Sequence, residues 1–294
     1  MEAYLAAIAI IALIYILLAL GLTLQYGLTG LINFGHVGFS AIGAYTSALL
    51  ALNGVPLVVS FAAAALLAGL AAWPIGLVSL RLRDDYFAIV TLGFSEVVRI
   101  VITSEQWLTN GVQGIPGIPR LYESLGGFDA QAAVLATILA VTLVGAWMIR
   151  RIARSPFGRL IEAIRDNEEA VQALGKDPAG VKIQVLVVRA ALAGIAGAFY
   201  AHYITYIVPD QFIPLVTFYV WMAIIMGGVG RVSGAVVGSA ILVLFLEGSR
   251  FLRDVIPGVS EVEMASVRIG VVGLLLILFI IYRPQGLMGD YTKR

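Results

Sequence analysis

Apolar residues in this chain fall into long runs separated by short charged or glycine-rich turns. Several runs reach the ~20 residues that cross a ~30 Å hydrocarbon core. They lie at 4–24, 37–52, 57–80, 87–103, 129–149, 183–206, 212–227, 235–251 and 265–282. The pattern predicts an all-α fold, a polytopic membrane helix bundle of about nine spans, within a range of about eight to ten. Residues 1–294 read as a single transmembrane domain. The first run has no basic segment before it and no clear cleavage site, so it reads as a true span.

Residues 25–45 break the pattern. Gly27, Gly30, Gly35, Gly38 and Gly43 stand among Asn33, His36 and Ser40. Glycines at this density let a helix break or let backbones pack closely. Polar groups at membrane depth face a bundle interior or a water-filled path. A broken or distorted helix near the permeation path is therefore expected, as one crossing or as a re-entrant piece. For each polar residue taken singly, a tight seam with satisfied hydrogen bonds is the competing reading.

A later span carries Glu96 and Arg99, three residues apart, on one helix face where they can pair. That pair would lock helices together or form a polar part of the pathway. Asn33, His36, Glu96 and Arg99 are thus the candidate pathway residues. Arg189 is expected to snorkel or pair near a span's end, and His202 to be an ordinary interfacial histidine. Gly230, Gly234 and Gly238 are spaced for helix packing.

Residues 150–182 form the one long charged run, with seven of the nineteen Lys and Arg. A basic loop between spans is cytoplasmic by the positive-inside rule. Placing this loop, the Arg81–Arg83 turn, Arg231 and the tail on one side gathers thirteen of the nineteen basic residues. The C-terminus is then cytoplasmic and the N-terminus outside. The glycine- and proline-rich loop 104–128 falls on the outer face, as do Arg250, Arg253, Asp254, Glu261 and Glu263. Within the basic loop, Ser155-Pro156 signals a helix start. Asp166 or Asn167 can cap a second short helix, and Gly175 sits where a helix ends. Leu160, Ile161, Ile164, Val171 and Leu174 form an apolar stripe. Two short amphipathic helices either dock on a partner or lie on lipid headgroups.

Composition agrees with the membrane reading. The chain is 60% hydrophobic and 13% charged, with mean hydropathy +0.96, against ~25% charge in soluble domains. The net charge of +1 points to no nucleic-acid partner. The absence of cysteine excludes disulfides and thiolate metal sites, and two histidines make no histidine-rich metal centre. No phosphate-binding glycine loop, His-Glu-x-x-His or Gly-x-Ser-x-Gly occurs. A protein of this kind moves a solute rather than transforming it, and ATP energy would have to come from another chain.

Six stretches stand in a telling order: GLTGLINFGHVGFSAIGAY at 27–45, YFAIVTLGFSEVVRIV at 86–101 and NGVQGIPGIP at 110–119, then SPFGRLIEAIRDNEEAVQALG at 155–175, MGGVGRVSGAVVGS at 226–239 and RPQGLMG at 283–289. Together they resemble the permease subunits of branched-chain amino-acid ABC importers, of the LivM type. The resemblance implies that loop 150–182 is a coupling loop. Within it, Arg159, Glu162, Arg165, Asp166, Asn167 and Glu168 would contact the nucleotide-binding subunit. It also implies two ATP-binding subunits carrying ATP and magnesium, a second LivH-like permease, and a periplasmic solute-binding protein. The setting would be a bacterial-type inner (plasma) membrane, and no cofactor is expected on this chain itself. The solute would be a branched-chain or related amino acid. Urea, short amides and aromatic acids are the alternatives within the family. A stand-alone secondary transporter would leave the two-helix loop unexplained. An intramembrane enzyme using His36 would lack its catalytic partners.

Overall fold

The computed structural model describes residues 2–79, 82, 84–255, 261–283 and 285–288. Helix α1 (Glu2–Leu22) runs directly into a π-helical turn (Thr23–Thr29). Residues 30–35 are non-helical and lead into α2 (His36–Leu52). Helices α3 (Leu57–Ser79) and α4 (Asp84–Ser104) follow, then a short α5 (Gln106–Thr109) and α6 (Gly127–Ala153). Helices α7 (Pro156–Asp166) and α8 (Glu168–Ala173) occupy the charged loop. The order closes with α9 (Pro178–Ile204), α10 (Pro214–Gly227), α11 (Val232–Val255) and α12 (Glu261–Tyr282).

Among the described residues six segments are long and apolar enough to cross a membrane: Tyr4–Thr29, Leu57–Val78, Asp85–Ser104, Asp129–Ala153, Pro178–Ile204 and Pro209–Gly227. Of the shorter apolar helices, His36–Leu52 lies between the first two of these segments, and Val232–Gly248 and Ile269–Phe279 follow the last. Among the described residues there is no strand, only an isolated antiparallel bridge between Ile115 and Ile207.

The expected boundaries shift in several places. Helix α6 runs on through Ala153 and α9 begins at Pro178, so the charged loop expected at 150–182 shortens to 154–177 between them. The first helix continues past residue 24 because the π-turn carries Gln25–Thr29 as part of it. Arg250, Arg253 and Asp254 belong to α11, and Glu261 and Glu263 to α12, so these charges are helix positions and not an outer loop. Arginine and glutamate are good helix formers, and charge alone does not end a helix. Arg81, Arg83, Lys293 and Arg294 lie outside the described residues.

Helix α9 is the centre of the bundle. It packs on α1, α2 and α3, while α1 also contacts α6, α10 and α11. The small-residue face expected on α9 meets a matching face on α2. A Cβ added to Gly43 would stand 2.3 Å from the Gly194 Cα, and one on Gly197 would stand 2.0 Å from the Ser40 carbonyl oxygen. Only glycine permits backbones to approach this closely, and close approach is the main source of packing energy between helices in lipid.

The 104–128 connection is pinned to the end of α9. Ile115 and Ile207 exchange backbone hydrogen bonds of 2.9 and 3.2 Å, and the Ile118 N–H donates to the Thr205 carbonyl at 3.1 Å. His202 corrects the expectation of an ordinary interfacial histidine, since it is buried and fully used. A carbonyl only accepts, so Nδ1–H donates to the Pro119 oxygen at 2.7 Å. Nε2 then accepts from the Ser47 hydroxyl at 2.8 Å. One imidazole thereby ties the loop to α9 and α2.

Gly43→Ala should lower stability by about 1–3 kcal/mol, the usual cost of overpacking. Thermal unfolding in detergent reads this directly. A transition at the wild-type temperature would show that the α2–α9 seam can open without loss.

Candidate functional site

The break between α1 and α2 is built by local hydrogen bonding. Gly30 takes φ +73°, a left-handed conformation that ends the π-turn. The Asn33 carboxamide oxygen then accepts from the Gly35 N–H at 2.8 Å, closing a side-chain turn. Two neighbouring helices hold the break and the start of α2. Thr91 Oγ1 on α4 accepts from the Phe34 N–H at 3.0 Å, and Thr217 Oγ1 on α10 accepts from the Val37 N–H at 3.0 Å. Trp221 Nε1–H donates to the Asn33 carbonyl at 3.2 Å. Irregular backbone at membrane depth survives only where protein satisfies it in this way.

Arg189, from the middle of α9, clamps this region. It is 0% exposed, and it neither snorkels nor meets an acid. Among the described residues no carboxylate lies within ion-pair distance of it. Its Nε and Nη2 donate to His36 Nδ1 at 3.0 and 2.8 Å, and Nη1 donates to Gln25 Oε1. Its guanidinium carbon lies 5.3 Å from the Phe39 ring centre, in cation–π range. Guanidinium has no acceptor, so His36 Nδ1 must be unprotonated. Nε2–H accordingly donates to the Leu18 carbonyl at 3.0 Å. Thr23 Oγ1, Gln25 Nε2 and Asn33 Nδ2 are buried beside the break without a hydrogen-bond partner among the described residues.

Of the four candidate pathway residues, Asn33 and His36 fall on the break, while Glu96 and Arg99 form a separate unit on α4. Arg99 donates twice to Glu96 Oε2, at 2.8 and 3.0 Å, and reaches Asp210 at 3.6 Å. Both side chains of the pair are about one-third exposed, so this pair bridges α4 to the turn before α10 in partly open surroundings. Gly230 is not part of a helix. It sits in the turn before α11 at φ +81°, against Gly27. Gly234 and Gly238 lie on α11 and meet the backbone of Gly227, Gly228 and Ala223.

The charged loop folds as its caps predict. Ser155 Oγ accepts from the Gly158 N–H at 3.2 Å, with Pro156 at the first position of α7. Asn167 Oδ1 accepts from the Ala170 N–H at 2.9 Å and caps α8. Ile161, Ile164 and Val171 are buried, but Leu174 is 80% exposed and leaves the stripe. The α8 helix ends before it, so the helical phase no longer carries Leu174 inward. Helix α7 packs against the π-turn, α6 and α9. Arg165 Nη1 donates to the Gly27 carbonyl at 3.2 Å, and Arg165 Nε donates to Asp166 at 3.0 Å. Glu168 pairs with Lys182 at 2.7 Å. Arg159 is exposed and Glu162 half-buried. Among the described residues no group of three His, Cys, Asp or Glu side chains could hold a metal.

A profile described as the branched-chain amino acid transport system permease component matches residues 4–280. The chain belongs to this family. Similar proteins include the high-affinity branched-chain amino acid transport permease LivM of Escherichia coli. It is 34% identical over 96% of this chain and 69% of its own length. A probable LivM of Methanocaldococcus jannaschii is 25% identical, covering 94% of this chain and 91% of its own. LivH of Salmonella typhimurium is 26% identical over the same shares. No solved structure matches the chain. The LivM-type resemblance seen in 86–101 and 155–175 agrees with the 34% identity to LivM of Escherichia coli, against 26% to LivH of Salmonella typhimurium.

Gln25 and the inward role of Arg189 escaped the sequence reading. The available signal was the cost of a charge in the middle of a span, which favours a buried partner over a free end. Arg189→Lys keeps the charge but loses the fork that reaches His36 and Gln25 together. It should cost about 1.5–3 kcal/mol, read as an earlier thermal unfolding transition in detergent. An unchanged transition would mean that the fork contributes nothing.

Proposed function

We propose that this chain is a membrane-spanning permease subunit of an ATP-driven importer for branched-chain or related amino acids. Its membership of the permease family carries the reading, together with two capped amphipathic helices, α7 and α8, set in a basic loop. The six long spans and three shorter apolar helices make nine crossings, with the N-terminus outside and α7 and α8 on the cytoplasmic face. The chain is not itself an enzyme. ATP and magnesium act on two separate ATPase subunits, a second LivH-like permease completes the pathway, and a periplasmic binding protein delivers the solute to the outer face.

Loop 150–182 is the coupling element. Arg159 and Glu162, which no ion pair engages among the described residues, and the exposed Leu174 are the side chains best placed to meet the ATPase. An exposed leucine within a charged surface supplies the apolar anchor that a docking site needs. Asp166, Asn167 and Glu168 shape the same surface while also serving Arg165, the α8 cap and Lys182. The break at Asn33 and His36 lines or gates the pathway. The pinned 104–128 loop presents the surface on which the binding protein alights.

Tagged protein purified from its native membranes should bring down ATPase subunits and a second permease. Arg159→Ala combined with Leu174→Asp should release the ATPase and abolish ATP-driven uptake, consistent with loss of anchors worth about 2 kcal/mol or more each. Recovery of the chain alone, with uptake driven by an ion gradient in liposomes, would overturn this reading in favour of a secondary transporter.

A further inference from the structure

One side chain of the coupling loop, although 40% exposed, reaches inward across the fold. Arg165 stands on α7, but its Nη1 donates to the Gly27 carbonyl of the π-turn, 138 residues away in sequence. Gly30 makes room for it: a Cβ there would stand 3.0 Å from Arg165 Cγ. Asp166 holds the same guanidinium from the other side at 3.0 Å. The bond has an unusual acceptor. In a π-turn the ladder is wider than in an α-helix, and such turns recur at functional sites. On its far side the π-turn presents Gln25 to Arg189, and Arg189 in turn holds His36 at the first position of α2. A single polar route therefore runs from α7 through Gly27 and Gln25 to Arg189, and on to the start of α2.

We infer that Arg165 is a positioning residue that tethers the coupling helix to the broken helix, and is not an ATPase contact. The inference rests on the importer reading above. When α7 is displaced, the tether pulls the π-turn, and the Arg189 fork passes that displacement to His36. The linkage works because its parts are few and stiff. Arg165 grips backbone rather than a mobile side chain, and Gly27 is wedged against Gly230, where a Cβ would come within 2.5 Å of Gly230 Cα. A displacement of the π-turn is therefore passed on to the turn before α11 instead of being absorbed in slack.

The test uses the whole complex, with both permeases, the ATPases and the binding protein, in proteoliposomes. The readout is solute imported per ATP hydrolysed. Arg165→Ala should assemble and hydrolyse ATP, but import per ATP should fall about tenfold, the factor carried by one charge-assisted hydrogen bond. Arg165→Lys should recover most of it, because an ammonium can still reach one carbonyl. A purely structural role would instead lower the yield of complex and leave the ratio alone.

An unchanged ratio in Arg165→Ala would sink the tether. Loss of the ATPase subunits from that variant would sink it too, by putting Arg165 on the docking surface. A wild-type complex that contains no ATPase defeats the importer reading instead, and is seen before any variant is made.

Discussion

A guanidinium buried without an acid sets the terms for this bundle. Moving a bare charge from water into a low-dielectric interior costs several kcal/mol even after relaxation. Among the described residues Arg189 offsets that cost with neutral partners: a histidine nitrogen, a glutamine oxygen and the face of Phe39. Each partner must be held to a fixed geometry, since a planar fork tolerates little misplacement. His36 is held through its other nitrogen by the Leu18 carbonyl. Gln25 is held by being part of a π-turn. The break in the first helical hairpin thus follows from what Arg189 needs around it as much as from the glycines that permit it.

That arrangement explains why so many helices converge on residues 30–37. A non-helical backbone in lipid must find protein partners for its N–H and C=O groups. Here α4 supplies Thr91, and α10 supplies Thr217 and Trp221. These contacts bring α4 and α10 to the same place that α1, α2 and α9 already share. Glycine pairs between α2 and α9 remove the side chains that would keep the backbones apart. Polar satisfaction and close packing therefore point to one architecture, which is the consistency expected of a sequence that specifies a single fold.

The two ends of the molecule use opposite devices. At one end, His202 and the Ile115–Ile207 bridge pin the 104–128 connection to α9. The loop is long, yet its buried isoleucines and backbone bonds make it a fixed surface. At the other end, α7 and α8 are short helices that stand on caps and three buried aliphatic side chains. Their polar face and Leu174 are left outward. The first end presents a pinned loop, the second two capped helices with their polar face outward.

Much of this was legible along the chain. Apolar run lengths gave the helical spans, because crossing a bilayer demands a minimum length of continuous hydrogen-bonded backbone. Ser155, Pro156 and Asn167 gave α7 and α8, because capping chemistry is local and needs no distant partner. The glycine cluster gave the break. Pairings across the fold were not legible. Nothing in the linear order tells Arg189 that His36 and Gln25, 153 and 164 residues away, will be its partners. Nor does it tell Arg165 to turn toward Gly27, or His202 to join Pro119 with Ser47. Those choices depend on which helix faces meet, a property of the packed bundle. The sequence by itself determined the spans, the caps and the place where the first hairpin breaks. The tertiary structure alone decided where the buried charge would be satisfied, because only packing brings scarce polar groups together where water cannot serve them.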